Sequence, residues 1–199
     1  YRDSRINRIF EGTNEINRLI ITGWLIKSAM SGKLALMPAI KSLMAEVLSG
    51  PTLKEEREGP LAAELDLLAS AKKLTLFAAG AATQKYMEKL ADEQEVMAAL
   101  ADSITEVFTM ESTLLRAQKI AAKNSAATIP ISLARLYPAK SMDIIELAVR
   151  KVIAAVAEGD TLRTQMAILR RLAKHDPTDT IALRRQVAAH MIKAWKYAL

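Results

Sequence analysis

The sequence predicts an all-α protein built as an antiparallel helical bundle, and three observations lead to this fold class. Apolar residues recur every three or four positions over most of the 199 residues, which is the period of an amphipathic helix. No stretch shows the strict alternation of apolar and polar residues that is typical of a half-buried strand. The 7 glycines and 6 prolines lie mostly between the periodic stretches, so the connections between helices are few.

Two helices are predicted in the first fifty residues. The first covers residues 14–30, where apolar side chains trace one broad face, and Ser31 and Gly32 end it. The second, predicted to be interrupted, covers residues 33–49 and carries Pro38 at or near its first turn, a position where proline is tolerated.

A charged stretch then separates two parts of the chain. Gly50 and Pro51 end the second helix, and TLKEEREG at residues 52–59 offers almost nothing to bury. Linkers of this composition mark domain boundaries. We therefore predict three parts: a first helical unit at 1–50, a linker at 51–59 and a separate helical bundle at 60–199.

The bundle is predicted to begin with a helical hairpin. Apolar residues at helical spacing run through 60–90, and Asp92 could cap a second helix of similar length at 93–123. Matching lengths favour an antiparallel pair.

Three further elements are predicted before the end of the chain. Pro130 and Pro138 bound a short segment, and a helix follows at 141–157. Gly159 ends that helix. The next helix is predicted to start at a cap on Asp160 or Thr161 and to end near Lys174. The last helix is predicted to start at Asp176-Pro177-Thr178-Asp179 and to end near Tyr197.

Charge and composition narrow the range of functions. The net charge of +6 favours acidic partners such as nucleic acid, anionic lipid or a phosphorylated ligand. The basic residues of the last two helices fit solvated helix faces, and no DNA-binding motif accompanies them, so nucleic-acid binding is not expected. The chain has no cysteine, and His175 and His190 cannot build a metal site by themselves, so no metal is expected either.

The first seventeen residues, YRDSRINRIFEGTNEIN, are the part where side-chain order looks dictated by chemistry. Gly12 permits a tight reversal of the chain, and Thr13 can cap a helix that begins at Asn14. Glu11 precedes this reversal and follows two apolar residues. It could be a base whose strength depends on how dry its pocket is, or a solvated glutamate near the positive end of the helix.

This stretch resembles the C-terminal signature of the acyl-CoA dehydrogenases, flavoenzymes that desaturate acyl thioesters at the α,β bond. The following helices are similar in arrangement to the extra C-terminal helical domain of the very-long-chain branch. The resemblance implies a fragment of a multidomain flavoenzyme. It is carried by Tyr1-Arg2-Asp3, Arg5-Ile6, Ile9-Phe10-Glu11-Gly12-Thr13 and Glu15-Ile16.

The resemblance also implies roles for individual residues. Glu11 would remove the α-proton of the acyl-CoA while the β-hydrogen leaves as hydride to FAD, and its backbone N–H would help polarise the thioester carbonyl. Gly12 would lie against the substrate. Thr13, Asn14 and Glu15 would lie against the FAD.

Partners and location follow from the same resemblance. They are an acyl-CoA substrate, electron-transfer flavoprotein or a similar acceptor, and a second copy in a homodimer. Residues 33–53 correspond to a stretch that contacts membranes in the very-long-chain relatives; their apolar side chains could equally pack on the bundle. The expected location is the cytoplasm of a bacterium or the mitochondrial matrix of a eukaryote, with or without membrane association.

The chain starts with Tyr1 inside the motif, so we expect it to be the C-terminal part of a longer protein. By itself it should be inactive, with Glu11 exposed. The alternative is a non-catalytic helical module for interaction or dimerisation that retains an enzyme-derived motif.

Overall fold

A computed structural model describes residues 2–49, 57–124 and 127–196, and these ranges are α-helical, which confirms the predicted fold class. Two 3₁₀ helices cover Asp3–Arg8 and Met87–Asp92. The α-helices, in chain order, are α1 Asn14–Met30, α2 Leu36–Ser49, α3 Ala62–Tyr86, α4 Gln94–Ala121, α5 Thr128–Val156, α6 Gly159–Ala173 and α7 Thr180–Ala194.

The three longest helices, α3, α4 and α5, form the scaffold. They pack against one another, while α1 adds to α4, α2 to α3, and α6 and α7 to α5. Their seams hold fully buried apolar side chains, each of which contributes about 1.5–3 kcal/mol by leaving water. Examples are Leu74, Met110, Leu114, Ile145 and Ile153.

Helix α2 packs closely on α3 because α3 carries a glycine at the contact. A Cβ atom added to Gly80 would lie 2.7 Å from Cγ2 of Ile40. Ile40, Leu43 and Val47 are buried at this contact. The backbone of α2 is also held at its far end, where Nη2 of Arg171 donates to the Val47 carbonyl at 2.9 Å.

Residues from both predicted domains therefore share one core cluster, in which Leu43 and Val47 accompany the buried residues of α3 to α6. The predicted division into 1–50 and 60–199 stays a prediction. Most of the predicted linker at 51–59 lies outside the described residues, which resume at Arg57.

The prediction that prolines bound a short segment before the helix at 141–157 is wrong. Helix α5 runs without interruption through Pro130 and Pro138. Pro130 lies in the first turn, where a backbone N–H has no partner within the helix. Pro138 lies inside the helix and is fully buried. A proline inside a helix costs about 3 kcal/mol, because it removes a backbone hydrogen bond. The burial of Met142 and Ile145, one and two turns later, offsets this cost.

The long helix predicted to reach Leu90 ends at Tyr86. Met87 adopts a left-handed φ of 50°, which stops the α-helix, and the chain continues as the 3₁₀ helix. Helix α4 follows Glu93, which takes the cap position instead of Asp92 and makes no side-chain capping hydrogen bond. The proposed cap residue was wrong because a 3₁₀ helix occupies Asp92.

The two last helices differ in how they start. Helix α6 begins at Gly159 after Glu158 and has no side-chain cap, so the caps predicted on Asp160 or Thr161 are wrong. Helix α7 begins as predicted. Oδ1 of Asp179 accepts from the N–H groups of Ile181 at 3.1 Å and Ala182 at 2.9 Å.

The contact between Gly80 and Ile40 is directly testable. We expect Gly80→Ala to lower the free energy of unfolding. The new methyl group would clash with Ile40, and such overpacking costs about 1–3 kcal/mol. This cost outweighs the gain in helix propensity from Gly to Ala, which is about 1 kcal/mol. Urea unfolding measures the change. Ile40→Ala removes the opposing methyl group, so Gly80→Ala should become stabilising in that background. A stabilising effect of Gly80→Ala in the parent chain would contradict this packing.

Candidate functional site

The motif of the first seventeen residues folds as a 3₁₀ helix, a tight turn and the start of α1. Oγ1 of Thr13 accepts a hydrogen bond from the N–H of Ile16 at 3.3 Å. This confirms the predicted cap and the predicted start of the helix at Asn14.

Two consecutive residues of the turn have left-handed backbone angles. Glu11 has φ 55° and Gly12 has φ 100°. Gly12 adopts this conformation without strain. For Glu11, which is not a glycine, it costs on the order of 1–3 kcal/mol, and residues strained in this way are frequent at functional sites. A Cβ on Gly12 would also lie 2.9 Å from Oδ1 of Asn17. Nδ2 of Asn17 donates to the Gly12 carbonyl at 3.0 Å, which holds the turn against the helix.

Glu11 is exposed, as expected for this chain by itself. Its neighbours Ile9 and Phe10 are exposed too, by 68% and 64%. The apolar residues beside Glu11 are therefore open to solvent, and they do not enclose its carboxylate in a dry pocket.

This open surface continues along α1. Its outer face, formed by Ile16, Ile20 and Trp24, points away from the bundle, and Trp24 is 67% exposed. These residues recur every four positions, so they line one side of the helix. Exposed apolar side chains along one helix face are typical of interaction sites.

The opposite face of α1 is fixed to α4 by polar contacts. Oγ1 of Thr22, which is buried, donates to the Met97 carbonyl at 2.8 Å. Nε of Arg18 donates to Oδ1 of Asp102 at 2.5 Å. The position of Glu11 is therefore tied to the bundle through the helix that follows it.

Asn14 and Glu15 are exposed in the first turn of α1. The pKa of Glu15 is lowered from its ordinary value of 4.5, first by a hydrogen bond from its own backbone N–H and then by one from the Thr13 hydroxyl. Arg18, whose Nη1 lies 3.8 Å from Oε1 of Glu15, lowers this pKa further. Glu15 is therefore ionised at neutral pH, at the positive end of the helix dipole.

The structure thus brings all five sequence-predicted site residues together on one exposed turn, and their roles stay predictions. Sequence reasoning did not single out Asn17, Arg18 and Thr22, which hold the turn and the helix. The partners of Thr22 and Arg18, Met97 and Asp102, lie 75 and 84 residues away in the chain, and helical periodicity cannot pair side chains over such separations.

No group of three or more His, Asp or Glu side chains that could hold a metal ion occurs within residues 2–49, 57–124 and 127–196. In the same ranges no helix has both the length and the apolar character that crossing a bilayer requires.

A helical bundle that presents a strained acidic turn beside an exposed apolar face defines a class: an all-α domain with a surface suited to contact with other molecules. The family model "Acyl-CoA dehydrogenase, C-terminal domain" matches residues 70–171, which is half of the chain, and the chain belongs to this family.

Two relatives align with the whole chain. It is 39% identical over 201 residues to a probable acyl-CoA dehydrogenase of Bacillus subtilis (strain 168). It also superimposes, with a TM-score of 0.95 and 36% identity, on the crystal structure of an acyl-CoA dehydrogenase complexed with FAD from Bacillus anthracis. The chain covers 34% of each of these proteins, so it spans about a third of their length.

The family match and the motif rest on different residues. The matched range 70–171 runs from α3 into α6, within the bundle that the sequence predicted as an additional domain. The motif lies in residues 1–17. Two separate parts of the chain thus point to the same family.

The cap at Thr13 gives a testable prediction. We expect Thr13→Val to raise the pKa of Glu15, because the variant loses the hydroxyl that donates to the carboxylate. It should also destabilise the chain by about 1 kcal/mol through the lost cap. Carboxyl NMR titration and urea unfolding measure the two effects, and Thr161→Val, at an exposed position of α6, is the control.

The pH dependence has a definite sign. The pKa of Glu15 is lowered on folding, so its stabilising contribution is present above the ordinary pKa of 4.5 and is lost as the pH falls through the folded value. Thr13→Val should reduce this loss. An unchanged Glu15 titration in the variant would contradict the assigned hydrogen bond.

Proposed function

We propose that this chain is the C-terminal part of an FAD-dependent acyl-CoA dehydrogenase that introduces the α,β double bond into acyl-CoA thioesters, a reaction of fatty acid β-oxidation. The observation that carries the proposal is the strained turn at Glu11, held by the Thr13 cap and by Asn17. Membership of the acyl-CoA dehydrogenase family and the FAD complex of the Bacillus anthracis relative support it.

In this proposal Glu11 is the general base. Its carboxylate takes the α-proton, while its backbone N–H donates to the thioester carbonyl and stabilises the charge that develops there. A base must lie within hydrogen-bond reach of its proton, and the paired left-handed residues limit where the Glu11 side chain can point. Gly12 lies beside the substrate, where the absence of a side chain leaves room.

FAD, when bound, accepts the β-hydrogen as a hydride. The residues proposed to contact it fit a polar part of the cofactor. Asn14 and Glu15 are exposed at the start of α1, and the hydroxyl of Thr13 lies beside them. Because Glu15 carries a negative charge, it suits hydrogen-bond donors of the cofactor and not its phosphates.

The site needs a second wall, and we propose that the remaining polypeptide of the enzyme supplies it. The relatives are about three times as long as this chain. Their additional residues would cover Phe10 and the outer face of α1. That contact would exclude water from Glu11 and so set its strength as a base.

The remaining proposals rest on the resemblance alone. They are membership of the very-long-chain branch, electron transfer to electron-transfer flavoprotein or a similar acceptor, and assembly as a homodimer. The location is bacterial cytoplasm or mitochondrial matrix, according to the source.

Membrane contact through residues 33–53 is proposed for a smaller set of side chains than the sequence indicated. Leu43 and Val47 are buried on the bundle, so they cannot reach a bilayer. Met37 and Met44 are exposed by 45% and 36%, and Lys41 lies between them on the same side of α2. Residues 50–53 lie outside the described part of the chain.

The base is tested by Glu11→Gln in the full-length, FAD-containing enzyme. The amide is nearly isosteric but cannot take up the α-proton, so the rate of flavin bleaching by acyl-CoA should fall at least about 10²–10⁴-fold. Binding of FAD and acyl-CoA should persist. Stopped-flow absorbance measures the reaction.

Glu95→Gln, at an exposed position of α4, is the matched control and should react normally. Bleaching of Glu11→Gln at the parent rate would remove Glu11 from the mechanism. It would favour the alternative, in which this chain is a non-catalytic interaction or dimerisation module.

The membrane contact is tested by co-sedimentation with anionic liposomes. We expect Met37→Ser with Met44→Ser to reduce the pelleted fraction severalfold, because two exposed apolar anchors are lost. Met87→Ser removes an equally flexible side chain, 74% exposed, elsewhere on the surface and should change nothing. If the double variant remains folded and pellets like the parent, α2 is not the contact.

A further inference from the structure

A crevice of about 200 Å³ lies where α1 and α2 meet α3 and α4. It opens to solvent and does not include the residues of the turn at Glu11. Apolar side chains from all four helices make up most of its wall, among them Leu25, Ile26, Leu36, Leu76, Leu100 and Val107.

The hydroxyl groups in this wall already have partners. An ordered water needs two to four polar groups to bind, so apolar molecules readily displace water from an apolar wall that lacks such groups. The wall is therefore suited to hydrocarbon. The bonds are Thr22 to the Met97 carbonyl at 2.8 Å, Thr75 to Ser103 at 2.5 Å and Thr83 to the Ala79 carbonyl at 2.8 Å.

Lys72 is the charged residue among the described residues that line the crevice. Its side chain is 46% exposed, and its Nζ lies 2.6 Å from Oε1 of Glu111. Exposed ion pairs of this kind contribute little, about 0–1 kcal/mol. A carboxylate at the rim could therefore replace Glu111 as the partner of Lys72.

The volume limits the size of the ligand. A dry cavity of about 150 Å³ holds benzene, which corresponds to about 25 Å³ for each of its carbon atoms. By this measure the crevice holds a chain of about eight carbons.

We propose that the crevice binds a single-chain carboxylate, with a hydrocarbon chain of about eight carbons between the helices and its carboxylate at Lys72. The site is separate from the candidate catalytic turn. The proposal rests on the crevice and does not depend on the proposed function.

The first test is calorimetric titration of the 199-residue chain with butanoate, hexanoate, octanoate and decanoate. Affinity should rise about 4-fold for each added methylene and level off beyond about eight carbons. Octanoate should bind severalfold more tightly than octanol. Absence of saturable binding, or binding that does not depend on chain length, would overturn the proposal.

The second test fills the crevice. Ala79→Leu places a larger side chain in its wall and should abolish octanoate binding, whereas Ala63→Leu, on an exposed part of α3, should leave it unchanged. Parent-like octanoate binding to folded Ala79→Leu would place the ligand elsewhere.

The third test concerns the head group and uses rim residues, so it stands even if Ala79→Leu does not fold. Lys72→Met should remove the preference for octanoate over octanol, and Glu111→Gln should strengthen octanoate binding severalfold by freeing Lys72. Lys73→Met breaks a comparable pair with Glu46 outside the crevice and should have neither effect. An unaltered preference in Lys72→Met would overturn the assignment of the carboxylate.

Octanoate binding should also survive Glu11→Gln, which separates this site from the catalytic proposal.

Discussion

The candidate site depends on the attachment of α1 to α4. A buried hydrogen bond from Thr22 to the Met97 carbonyl and the ion pair of Arg18 with Asp102 fix one side of α1. Because α1 is fixed on that side, its apolar outer face is left free, and the turn at Glu11 is carried at its N-terminal end. The bundle of α3, α4 and α5 serves as a rigid base for this helix, since its seams are filled with fully buried side chains.

The turn itself is close to energetic balance. The left-handed conformation of Glu11 costs on the order of 1–3 kcal/mol. The Thr13 cap returns about 1 kcal/mol, and the hydrogen bond from Asn17 to the Gly12 carbonyl about as much. Local contacts therefore suffice to hold Glu11 in place but add little further stability. Contacts from the remaining polypeptide, which the proposed enzyme would supply, would lower the energy of this turn and dry the surroundings of its carboxylate.

Helices α1 and α2 approach the bundle at separate places, and this arrangement explains the crevice. Helix α1 lies on α4, while α2 lies on α3, where Gly80 admits Ile40 at close range. The chain between α1 and α2 spans the gap, and side chains of all four helices face it without filling it. The same close contact buries Leu43 and Val47, whereas Met37 and Met44 of α2 stay exposed.

Periodicity, capping and turn chemistry are local properties, and what depends on them could be read from the sequence. These features include the all-α class, the bounds of α1, the Thr13 cap, the place where α7 begins, and the motif that pointed to the acyl-CoA dehydrogenases. Local rules failed where burial outweighed them, as at Pro138, which the packing of α5 accommodates. They were silent on contacts between residues far apart in the chain. The pairing of Arg18 with Asp102 and the crevice beside Lys72 arise only when the helices pack, because each depends on the distance and orientation between separate elements.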